Sequence, residues 1–285
     1  MFHKTVFSLM ILSIAIFTFC SKNENNEEKN NLTKLTKSKS EFIINTLFND
    51  DVFSSDALLG LDYGIEATFL FNTFLPDSNS NLNKNVSNDT VFIVNYSNNS
   101  DTTKIYYLKN LKKFYILFTG NDNESPINKS YRYFSSVVLY DNNDKALSYL
   151  QLIANIPISK YEFDGTIDMI SSSTKENIEA NTNSNFNYII ETPAKDKYII
   201  NGSSDVLFNY NKEEFKLKSV VQDFTISEAQ NYPIGIYKIE GDNSTYIKIV
   251  FNGTELADVE IYDGDENTYK MKLNLETDKL IEENN

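Results

Sequence analysis

The clearest hydrophobic pattern lies near the C-terminus, where apolar and polar residues alternate through three successive runs. Ile247, Ile249 and Phe251 flank Lys248; Ala257, Val259 and Ile261 alternate with Asp258 and Glu260; Tyr269, Met271, Leu273 and Leu275 alternate with Lys270, Lys272 and Asn274. A period of two sends successive side chains to opposite faces of a strand. Gly241-Asp242-Asn243, Asn252-Gly253 and Asp263-Gly264 fall between or beside these runs, and they supply residues that tolerate the positive φ of tight hairpins. One dry face and one wet face is the behaviour of antiparallel pairing. The pattern predicts a meander reaching back to about residue 157.

Further upstream, Ser38-Lys39-Ser40-Glu41 has capping-box spacing and precedes Phe42, Ile43, Ile44, Leu47 and Phe48, one stripe at helical spacing. A short helix is expected there, ending near Asn49-Asp50-Asp51. Ile65, Ala67, Phe69 and Phe71 alternate with Glu66, Thr68, Leu70 and Asn72 and predict a strand. The expected fold is mainly β: a short N-terminal helix followed by a large antiparallel β-meander, built as an open sheet, half-barrel or sandwich. Polar stretches at 76–89, 120–130 and 171–185 predict exposed loops, and the third offers a place near 171–187 where the body could divide. Strands flank every gap, which favours one domain. Tyr161-Glu-Phe-Asp-Gly165, Tyr198-Ile-Ile-Asn-Gly202 and Tyr237-Lys-Ile-Glu-Gly241 start 37 and 39 residues apart, each expected as a strand end followed by a turn glycine. Hairpins that end alike account for this as well as duplication does.

At the other end of the chain, His3 and Lys4 precede an almost entirely apolar run, Val6 to Phe19, the layout of a basic n-region and a signal h-region. The run is shorter than the roughly 20 apolar residues of a membrane span, and Ser21-Lys-Asn-Glu follows it. Phe17-Thr18-Phe19-Cys20 resembles the lipobox of bacterial prolipoproteins, over residues 1–20 only. The resemblance implies that Cys20 is acylated, as with palmitate, and that the signal is cut just before it. Phe19 stands where the family generally has a small residue. Ser21 is not the aspartate that marks inner-membrane retention, so the resemblance implies an outer-membrane or cell-surface location in the envelope. Residues 1–19 are then a signal peptide, residues 20–40 a lipidated cysteine with a disordered tether rich in Asn, Lys and Glu, and residues 41–285 the mainly-β body.

Composition narrows the chemistry of that body. His3 is the chain's only histidine and Cys20 its only cysteine. A mature body with neither has no Ser-His-Asp or Cys-His machinery and no common zinc, copper or haem site; no cofactor is expected. The signal removes Lys4 and no acid, so 26 basic residues become 25 against 40 acidic ones, a mature charge of −15. With Arg132 as the single arginine, no basic face for nucleic acid is expected. Asp50-Asp51, Asp141-Asn142-Asn143-Asp144 and Asp263-Gly264-Asp265-Glu266-Asn267 are acidic clusters that suggest calcium. The last departs from an EF-hand loop, with Thr268 at the turn-glycine place and Asn274 at the bidentate-glutamate place; a hairpin turn is the simpler expectation.

Three functions stay open. The leading expectation is a non-enzymatic, lipid-anchored binding or structural module, with Cys20 as its one site residue and the membrane, through that lipid, as its one assigned partner. A sheet crowded with Tyr106, Tyr107, Phe114, Tyr115, Phe118, Tyr131, Tyr133, Phe134 and Tyr140 could instead curve around a hydrophobic ligand or lipid. Paired carboxylates alone can hydrolyse glycosides, which keeps a carboxylate-dependent hydrolase as the third.

Overall fold

A computed structural model of the chain describes residues 32–49, five residues between 64 and 71, and residues 89–282 with breaks at 99, 123–126, 155, 174–176, 195, 228 and 266. Thirteen strands among the described residues pair in strict chain order, each antiparallel to the next. They are β1 (Thr90–Ser97), β2 (Thr102–Leu108), β3 (Lys113–Asp122), β4 (Ile127–Tyr140), β5 (Lys160–Ser173), β6 (Ile178–Ala194), β7 (Lys197–Tyr210), β8 (Glu213–Ser227), β9 (Ile234–Glu240), β10 (Tyr246–Asn252), β11 (Leu256–Tyr262), β12 (Thr268–Asn274) and β13 (Lys279–Glu282). The sheet is open, with β1 and β13 at its edges. Helix α1 (Lys37–Asn49) precedes it, and a short helix α2 (Tyr149–Ile153) sits between β4 and β5.

Alternation along each strand becomes continuous rows across the sheet, because register aligns inward residues. One row runs from Phe114 through Val137, Phe163, Tyr188, Gly202, Val221 and Tyr237 to Met271. Phe118 stacks on Tyr133 at 5.6 Å between ring centroids, Tyr133 on Phe186 at 5.3 Å, and Phe186 on Tyr188 at 5.4 Å. Such contacts each contribute about 0.5–1.5 kcal/mol beyond the area they bury. Large rings need small partners, and glycines inside the strands provide them: Gly120 opposes Tyr131, Gly165 opposes Phe186 and Gly202 opposes Tyr188.

The N-terminal segment closes over the dry face. Thr33 exchanges hydrogen bonds with Lys216 at the start of β8, its N–H donating to the Lys216 carbonyl at 2.8 Å. Leu35 is fully buried, and its N–H donates to Thr245 Oγ1 at 3.0 Å. Phe42 of α1 packs on Tyr210 and Phe215, while Lys37 pairs with Glu282 of β13 at 2.7 Å and Lys39 with Glu213 of β8 at 3.3 Å. A flat sheet would put β8 and β13 roughly 24 Å apart, five strand spacings. Contacts to both from neighbouring lysines therefore curl this part of the sheet around α1.

Several elements differ from their expected form. Residues 32–40, expected in the tether, belong to the described body, with Leu35 and Ser40 buried and α1 starting at Lys37. Thr36 Oγ1 accepts the Lys39 N–H at 3.4 Å, the bond of an N-cap residue, so the cap lies two residues before Ser38. The strand expected over 65–72 is helical at Gly64, Ile65, Ala67, Thr68 and Phe71. Its buried residues, 64, 67, 68 and 71, stand at helical spacing, and Thr68 Oγ1 donates to the Ile65 carbonyl at 2.7 Å. Phe71 meets Phe114 and Tyr161, placing this segment over β3 and β5. Of the three glycines expected in turns, only Gly241 follows a strand; Gly165 and Gly202 lie inside β5 and β7. Ser171–Asn185 is strand rather than loop at 171–173 and 178–185, and residues 76–88 lie outside the described part.

Candidate functional site

Residues 1–31, with Cys20 and the expected signal segment among them, lie outside the described residues, as do Asp50 and Asp51. The other acidic clusters are turns whose first carboxylate bonds within its own loop, while Asp144 pairs with Lys160 at 2.8 Å and Asp265 with Lys34 at 3.2 Å. Asp141 Oδ1 accepts the Asn143 N–H at 2.8 Å and the Lys145 N–H at 2.9 Å. Asp263 accepts from the Asp265 N–H at 3.0 Å, Asn267 Nδ2 at 3.3 Å and Tyr269 Oη at 3.1 Å. These donors favour the charged form, and both carboxyls are held below the usual carboxylate range, chiefly by backbone N–H groups. Among the described residues, no group of three or more His, Cys, Asp or Glu side chains could hold a metal ion.

The remaining acids that stand out are each bound by a tyrosine. Tyr140 donates to Glu162, Tyr246 to Glu260 and Tyr232 to Glu276, all at 2.6 Å. The bond to Glu162 pushes the Tyr140 hydroxyl up to about 12, and the bond to Glu260 does the same to Tyr246. Lys160 and Lys238 sit over the Tyr140 and Tyr246 rings at 4.3 and 5.1 Å. The three glutamates belong to β5, β11 and the β12–β13 turn, and each holds a tyrosine hydroxyl; Glu162 also shares Lys160 with Asp144, at 4.0 and 2.8 Å.

The crowded aromatics divide between the faces by parity. Tyr107, Phe114, Phe118 and Tyr133 point inward and are buried, whereas Tyr106, Tyr115 and Phe134 form a half-exposed outer stack, with centroids 5.5 and 6.0 Å apart. Beside that stack the outer face turns polar. Asn181, Asn183, Asn185 and Asn187 occupy successive exposed positions of β6; Asn183 donates to Asp168 on β5, and Asn209 on β7 donates to Asn181 at 2.9 Å.

A set of hydroxyls inside the sheet was not singled out by sequence. Ser135, Ser171, Thr182, Tyr188 and Tyr237 have buried hydroxyls that make no hydrogen bond of normal geometry, and the two tyrosine hydroxyls lie near Ser219, which is bonded to Ser204 at 2.6 Å. Burial pushes Tyr188 up to about 12 and Tyr237 higher still, partly offset by the nearby Ser219 hydroxyl. The available signal was a polar residue at an inward-parity position of an alternating strand.

Comparison of the chain with protein-family models, with characterised proteins and with solved structures finds no match.

Proposed function

We propose that this chain is a lipid-anchored bacterial envelope lipoprotein whose β body is a non-enzymatic binding or structural module. What supports the module is the use of the two faces. The dry face is occupied by its own stacked rings and covered by α1 and Phe71, leaving the polar outer face and the loops for partners. The anchor rests on the resemblance at Phe17–Cys20 and on a body with no other thiol or imidazole.

A second function, carriage of a hydrophobic ligand with a polar head, draws support from the buried hydroxyls of Tyr188, Tyr237 and Ser135, none of which makes a hydrogen bond of normal geometry. A buried unsatisfied hydroxyl costs about 1–3 kcal/mol, and a guest that bonded to it would recover this. Native mass spectrometry of the chain from Ser21 onward, purified without detergent, separates the two. The module predicts the bare polypeptide mass. A stoichiometric amphiphile that is lost in a Tyr188→Phe/Tyr237→Phe variant would replace the module with the carrier.

A further inference from the structure

The β2–β3 hairpin carries a charge pattern opposite to that of the molecule. In a chain of net charge −14, its tip reads Lys109-Asn110-Leu111-Lys112-Lys113, three lysines in five residues with no acid. Other described turns carry acids on the turn or just after it, as at Asp196, Glu213, Asp242, Glu255, Asp263 and Glu276. All five tip residues are exposed, Leu108 and Lys113 close the ladder below them, and Lys112 turns the chain with φ 53°.

Apolar side chains stand in the same place. Leu111 at the tip is 53% exposed. Tyr149, at the start of α2, stacks on Tyr107 at 6.2 Å, which sets α2 against the base of this hairpin, and the next residue, Leu150, is 70% exposed. Among the described acids near this end, Asp141 is bound by its own turn and Asp144 accepts from Lys160 at 2.8 Å, while Asp89 stands beside Lys109, its backbone carbonyl accepting the Lys109 N–H. The tip is also remote from the point where the chain enters the body. Thr33 and Leu35 bond to the start of β8 and to the β9–β10 turn, at the opposite end of the antiparallel strands.

We propose that this tip is a membrane contact in its own right, in which Lys109, Lys112 and Lys113 engage anionic lipid headgroups while Leu111 and Leu150 enter the edge of the acyl layer. Clustered lysines attract an anionic leaflet, each contributing a factor of roughly five near the surface, and short apolar side chains among them add shallow insertion. The contact is independent of acylation.

The test is co-sedimentation of the chain from Ser21 onward, which has no acyl group, with phosphatidylcholine vesicles with and without phosphatidylglycerol. Binding is expected to the anionic vesicles alone and to fade at high salt as charges are screened. The triple variant Lys109→Glu/Lys112→Glu/Lys113→Glu is expected to lose about a hundredfold in partitioning, and Leu111→Ser/Leu150→Ser about tenfold. Circular dichroism checks that each variant keeps the sheet. No binding by the parent chain would overturn the proposal. So would an equal loss in Lys216→Glu/Lys218→Glu/Lys270→Glu, which would assign the effect to net charge.

Discussion

Replacing Gly202 by alanine is expected to destabilise the body by about 3 kcal/mol and lower its melting temperature by about 10 °C, followed by circular dichroism. The residue has φ 149°, outside the usual range of L side chains, and lies where the β7–β8 register slips between Ile200 and Gly202. A Cβ there would come within 2.2 Å of the Asn187 carbonyl oxygen and 2.6 Å of the Tyr188 ring. The oxygen belongs to backbone on the neighbouring strand, so relief requires β6 and β7 to part. Gly165→Ala meets the same obstacle, with the Phe134 carbonyl oxygen 2.3 Å away. Ser203→Ala, one residue along β7 on the outer parity, is expected to stay within about 0.5 kcal/mol of the parent. A Gly202→Ala body melting with the parent would show that the strand does not need the glycine.

A steep loss of stability is expected in alkali. Tyr133, Tyr188 and Tyr237 are buried, and burial raises all three hydroxyls above the ordinary 10.0, Tyr188 to about 12. The folded state therefore keeps these groups neutral at a pH where the unfolded chain gives up their protons. Their contribution is complete below pH 10 and is lost as the pH rises from there towards 12. Each adds a slope of about 1.4 kcal/mol per pH unit, so the three together reach roughly 4. Urea unfolding at stepped pH should show this fall, and a Tyr133→Phe/Tyr188→Phe/Tyr237→Phe variant should flatten it. An unchanged alkaline profile in that variant would remove these tyrosines as its cause.

The parts of the fold that were legible in sequence are those where inward positions are apolar. Ile247, Val259 and Met271 alternate with lysines and acids, and they form the dry face of β10, β11 and β12. The same alternation continues through 171–185, but its inward members are Ser171, Ser173, Thr182 and Ser184 and its outward members include Asn181, Asn183 and Asn185. Both faces are polar in composition, so hydropathy reports a loop where register builds a strand. At 64–71 the ambiguity is of the other kind, since Ile65, Ala67 and Phe71 satisfy a period of two while 64, 67, 68 and 71 satisfy a helical one; burial selects the helix. The inner hydroxyls were hidden for a third reason. Ser204 meets Ser219, and Tyr188 shares a row with Tyr237, only once β6 to β9 are in register.

Metabolic labelling with radioactive palmitate tests the account at its centre, because the anchor carries the functional assignment and Cys20 is the only thiol available to hold it. The parent chain is expected to take up label and to fractionate with membranes, and a Cys20→Ala chain to take up none and to lose that attachment. An unlabelled parent, or a Cys20→Ala variant as firmly membrane-bound as the parent, would contradict it.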